Sequence, residues 1–153
     1  MGQSVLDLEM ESSTKGVENS IPTMAQNLTG YQPSESGSNC FNAALIWYGF
    51  TTEVKFTDPE DLMEITQRYF QKLEPNSKKQ FGDLLIIKDK TGSQFWHAAI
   101  LIDNQTVWHK RGPGIEYPWN YQSLETMLQP YFTAPGCYGY LVVEFYRRKS
   151  LLN

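Results

Sequence analysis

Histidine and cysteine are the scarce residues of this chain, with two of each in 153. Two cysteines allow at most one disulfide, a weak ground for assigning export. A basic excess is also missing. Thirteen Lys and Arg face seventeen Asp and Glu, for a net charge of −4. A nucleic-acid binder normally carries the opposite balance, so no nucleic-acid partner is expected. The one basic cluster, Arg147-Arg148-Lys149, stands near the chain end and reads as a solvated face. No run approaches the roughly 18 to 20 apolar residues that cross a bilayer, so no membrane span is expected. The stretch VLDLEMES after Met1 is too short and too acidic for a signal-peptide core. The localisation left open is cytoplasmic, or periplasmic or secreted where a signal has been removed.

What is present is enough for one folded unit. Apolar residues make up 41% and aromatics 14%, which supports a core and excludes a disordered polypeptide. The charge is uneven. Asp7, Glu9, Glu11, Glu18 and Glu35 against Lys15 alone account for the whole excess, and the rest of the chain is balanced. Residues 1–30 are therefore expected to form a loosely ordered arm, and 31–153 a single, monomeric domain.

The firmest local signal is NCFNAALIWYG. Ser38 or Asn39 suits an N-cap and Gly49 a C-terminal cap, around a segment apolar nearly all round. Such a helix is buried. Thr57-Asp58-Pro59-Glu60 reads as a capping box that opens an amphipathic helix over about 58–73, with Leu62, Ile65, Tyr69 and Leu73 inward. Alternating apolar runs then predict strands at 83–88, 95–102, 106–110 and 138–146, with a short helix near 121–129. Helices first and closely linked strands later give an α+β class, with an antiparallel sheet packed on the buried helix.

Both histidines lie on adjacent predicted strands. Phe95, His97, Ala99 and Leu101 share a face, and a three-residue turn Asp103-Asn104-Gln105 would place His109 on it too, whereas a two-residue turn would not. Cys40 stands at a helix start, where unsatisfied N–H groups and the helix dipole favour a thiolate. Together these make a candidate catalytic set. Cys40 would be the nucleophile, His97 the base that later protonates the leaving amine, and His109 the group that orients His97. A zinc site on the same three residues is the rival, but their spacing is not that of a compact zinc motif and a helix N-terminus repels a cation. No metal and no other cofactor is expected. Cys137 follows Pro135-Gly136 at a strand start and is taken as structural, a small apolar residue or a disulfide partner.

The order of these pieces resembles the NlpC/P60 papain-like cysteine peptidases. Their core reads Asp-Cys-Ser-Gly, Gly-Asp-Leu-Val and His-Val-Gly-Ile-Tyr, often with a second histidine on the next strand. The matching pieces are Cys40, Gly82-Asp83-Leu84-Leu85, His97-Ala98-Ala99-Ile100 and His109, with Gly37 three before the cysteine. The resemblance implies a papain-like fold and a thiol protease that hydrolyses an amide bond in the stem peptides of cell-wall peptidoglycan. It also implies substrate contacts. Tyr31 is the candidate for the family's substrate-side tyrosine, and Asn39 replaces the aspartate that reads a free amine. Phe41-Asn42 replace Ser-Gly. Trp119, in the loop RGPGIEYPWNY, would add contact surface. Two alternatives stay open: a papain-like binding module without activity, and a thiol acyltransferase or amidase acting outside the wall.

Overall fold

The structure, a computed structural model, describes residues 20–133 and 141–151. Helix α1 (Thr23–Leu28) is followed by α2 (Cys40–Tyr48) and α3 (Pro59–Tyr69). Strands β1 (Phe70–Lys72), β2 (Leu84–Asp89), β3 (Phe95–Asp103), β4 (Thr106–Lys110) and β5 (Trp119–Ser123) come next. Helix α4 (Leu124–Phe132) and strand β6 (Leu141–Arg148) complete the order. The six strands form one sheet, β1-β6-β2-β3-β4-β5, and every neighbouring pair is antiparallel. The expected α+β class is what the chain adopts.

Helix α2 starts and stops where its sequence dictates. Asn39 is the N-cap, its side-chain oxygen accepting the Asn42 N–H at 3.1 Å. Gly49 ends it in the left-handed region, φ +82°, where a side chain would be strained. The expected capping box of α3 does not form. The N-cap is Asp58, one residue later than the Thr57-Glu60 spacing needs, and it makes no side-chain cap bond. Both backbone groups of Thr57 are instead engaged by Asn39. The helix also stops at Tyr69, because Phe70–Lys72 leave it to pair with β6.

Other expectations shift at the edges. Residues 121–123, expected as the start of a helix, belong to β5, and Ser123 caps α4 by accepting the Thr126 N–H. Within the segment expected as a loose arm, part of residues 20–30 packs on the domain. Ala25 is fully buried, Ile21 and Leu28 lie against the core, and Thr29 accepts the Trp108 indole N–H at 2.8 Å. Arg147 and Arg148 are not a solvated face. The Arg147 guanidinium donates twice to the buried Asp83 carboxylate, each bond 2.8 Å. Arg148 donates to the Tyr48 carbonyl and lies 4.5 Å from the Phe50 ring. Within the Gly-Asp-Leu stretch, Gly82 (φ +88°) offers its carbonyl to the Tyr48 hydroxyl at 2.6 Å. That stretch ties β2 to both α2 and β6.

The sheet has two packed faces. Leu84, Ile86, Ala98, Ile100, Ile102 and Trp108 point to the helical layer of α1, α2 and α3, where Cys40, Leu45 and Leu62 meet them. Leu85, Ile87, Ala99, Leu101 and Val107 point the other way, against Met127 of α4. Among the described residues no helix is long and apolar enough to cross a membrane.

Candidate active site

The turn between β3 and β4 decides what meets what. It closes with two residues, Asn104-Gln105, between Asp103 and Thr106. Asp103 accepts the Gln105 N–H at 2.8 Å, an Asx turn. A register shift between Leu101 and Asp103 restores the phase that a three-residue turn would have given, so Ile100 pairs Trp108 and Leu101 pairs Val107. His97 and His109 therefore share a face. Their rings meet edge-on with centroids 5.0 Å apart, and His97 Nε2 lies 2.8 Å from His109 Nδ1.

Cys40 is not with them. His97 pairs Ile87, on the α4 face, and its ring lies 5.5 Å from that of Tyr131 of α4. Cys40 packs on the opposite face with Ala98 and Trp108. The expected Cys40–His97–His109 triad is thus divided by the sheet, and the zinc alternative built on the same residues falls with it. The reason is the period of a strand. Neighbours point to opposite sides, and the phase of β3 turns Ala98, not His97, toward the helix that carries the cysteine.

What surrounds Cys40 is different. Backbone N–H groups of Ala98, Phe41 and Cys40 itself point to the sulfur, and the Lys110 charge acts on it. Burial dominates all the same and pushes the thiol up to about 12. Lys110 is completely buried. Its ammonium donates to the carbonyls of Gly112 at 2.6 Å and Gly114 at 3.1 Å, and it stands 5.4 Å from the Trp119 ring. Burial lowers its proton affinity, opposed by the charges of Glu116 and Cys40. Sequence reasoning missed Lys110. The signal was available, because Ala98 and Lys110 are separated by the same twelve positions as the two histidines.

Tyr31 and Trp119 come together, with centroids 6.1 Å apart, on a cavity of about 590 Å³ that reaches Ser38, two residues from Cys40. Exposed Val54 and Phe56 form another part of its lining. Trp119 is buried, and its indole N–H has no hydrogen-bond partner among the described residues. Asn39 leaves the substrate-contact set. Its amide is consumed by capping α2 and by Thr57, whose carbonyl accepts at 2.9 Å and whose N–H donates at 3.3 Å. Cys137 lies outside the described residues.

On the α4 face burial holds both imidazoles down, His109 to about 4 and His97 well below its usual value. Their neutral tautomers are fixed by one acceptor. Gln122 Oε1 lies 3.0 Å from an Arg111 guanidinium nitrogen and 2.7 Å from His109 Nε2, so both must donate to it. His109 Nδ1 is then bare and accepts from His97 Nε2–H. His97 Nδ1 remains a buried lone pair without a partner among the described residues. No protein-family model, curated protein or solved structure matches this chain.

Proposed function

We propose that this protein is a papain-like thiol hydrolase of the NlpC/P60 kind that cleaves an amide bond, with Cys40 as nucleophile and Lys110 in the place expected for histidine. The observation that carries the reading is the pairing of a helix-opening cysteine with a completely buried lysine whose charge acts on it. In the reaction, Cys40 loses its thiol proton to solvent, the Lys110 ammonium steadies the thiolate, and the thiolate attacks the amide carbon. The developing oxyanion is held by N–H groups at the start of α2. The Lys110 ammonium then protonates the leaving amine, and water hydrolyses the thioester to carboxylate and thiol, its second proton restoring the ammonium. The cavity lined by Tyr31 and Trp119 takes the peptide, with the exposed Tyr31, Val54 and Phe56 side chains offering it apolar contact. Stem peptides of peptidoglycan are the substrate class that the resemblance favours.

A second reading, a binding module on the same fold, is favoured by the high proton affinity of the buried thiol. Alkylation by iodoacetamide across pH 7 to 10 separates the two, joined to mass spectrometry of peptidoglycan fragments. For the enzyme, Cys40 labelling climbs roughly tenfold per pH unit as thiolate forms. It drops about tenfold or more at pH 9 in Lys110→Met, stays unchanged in His97→Gln, and stem peptides are cut. Equal labelling of Lys110→Met and wild type removes Lys110 from the mechanism. A reactive Cys40 with no cleavage leaves the binding module or an amide outside the wall.

A further inference from the structure

The α4 face holds a second polar site that the thiol chemistry does not use. Arg111 follows β4, and among the described residues it has no ion pair and only one hydrogen bond, to Gln122. A guanidinium offers five N–H donors, so most of this fork is unspent. It borders a cavity of about 190 Å³ lined by His109, Arg111, Tyr117, Pro118, Asn120 and Gln122. No carboxylate lines it. The Tyr117 hydroxyl and the Asn120 amide carry no side-chain hydrogen bond among the described residues, so both are available beside the guanidinium.

We propose that this cavity is a carboxylate-binding site, in which the Arg111 fork grips both oxygens and Asn120 and Tyr117 donate to their remaining lone pairs. One guanidinium with neutral donors matches one negative charge, and the planar fork fits a carboxylate two-point. A phosphate dianion would need more cationic partners than the site holds. The floor is rigid, because Gln122 is fixed by Arg111 and His109, and His109 in turn by His97. That rigidity keeps the guanidinium plane in place before a ligand arrives. The groups facing Arg111 and His109 are His97 of β3, Tyr117 of the loop and Tyr131 of α4, with no carboxylate beside them among the described residues.

The histidine rings report occupancy, since both feel the Arg111 charge. We would titrate the intact protein with sodium acetate at constant ionic strength and follow the ring signals of His97 and His109 by NMR. The expected result is a saturable shift that matched chloride does not give, weakened at least tenfold in Arg111→Gln. Gln122→Glu supplies a carboxylate from within the site and should likewise block acetate while the fold stays intact. A shift that chloride reproduces, or one that survives in Arg111→Gln, overturns the site. Phosphate binding tighter than acetate overturns the carboxylate assignment. Cys40 alkylation plays no part in these readouts, so their failure leaves the thiol reading untouched.

Discussion

The two faces of the central strands are built from alternate residues of the same sequence, yet they hold opposite chemistry. The face toward α2 buries a thiol, an ammonium and an indole N–H that lacks an acceptor. The face toward α4 buries two neutral imidazoles, one with a lone pair that lacks a donor. Each face is therefore incomplete in the complementary sense, one asking for an acceptor and the other for a donor. Buried polar atoms of this kind cost about 1 to 3 kcal/mol each when nothing meets them. Spacing along the chain groups Cys40, His97 and His109. Phase across the sheet is what keeps them apart.

Removing the phase device should do the most damage. Deleting Gln105 from the two-residue turn shifts β4 by one position. That move would turn Lys110 toward His97, His109 into the α2 layer and Trp108 out of it. Swapping a whole strand face exceeds the roughly 5 to 15 kcal/mol that holds a domain together, so no cooperative unfolding transition should remain by circular dichroism. A wild-type melt would show that the register shift near Asp103 absorbs the loss.

A milder perturbation touches one face alone. In the unfolded chain both imidazoles titrate near 6.5. In the folded chain burial holds His109 to about 4 and His97 well below its usual value, so as pH falls below 6.5 the unfolded chain holds more protons. Stability is then full above about pH 7 and falls as pH drops toward 4. Between pH 7 and pH 5 His109 alone should cost about 2 kcal/mol of stability, and His97 acts in the same direction. A His97→Gln, His109→Gln double variant keeps polar partners but has no ring to titrate. Its urea midpoints should stay nearly flat over that range, and a slope equal to wild type would place the acid sensitivity elsewhere.

The smallest effect concerns the cysteine face. Asn39→Asp keeps the cap oxygen but loses the amide donor, leaving a carboxylate against the Thr57 carbonyl. The cost should be about 1 kcal/mol, a fall of roughly 2 to 4 °C in Tm. It should give no preference for substrates with a free amine, because the side chain is buried away from the cavity. A gain of such a preference would return this position to the substrate-contact set.

Much of the fold was legible because the residues that set it act locally. The cap at Asn39, the stop at Gly49 and the apolar runs of β2 and β3 need no distant partner to be recognised. The parts misjudged depend on contacts far along the chain. Residues 121–123 are strand because β4 offers them an edge, and Ala25 is core because Trp108 and Trp119 lie behind it. Arg147 looked solvated until Asp83, sixty-four positions away, supplied its carboxylate. The candidate site fails and succeeds for the same reason. A histidine draws attention by its chemistry, but which of two neighbours on a strand faces the helix is decided by packing, and Lys110 was hidden beside the more conspicuous His109.

The double use of Asn39 has a consequence for the order in which the molecule comes together. The first turn of α2 is capped by a side chain whose other bonds reach eighteen positions ahead, to the segment before α3. A helix start secured this way is not an autonomous nucleus. It needs the intervening loop to close, and that search costs entropy that a purely local cap would not. Until Thr57 arrives, the N–H groups around the cysteine belong to a fraying end. The environment of the thiol is therefore assembled late, by the return of a distant stretch of chain, rather than laid down with the helix that carries it.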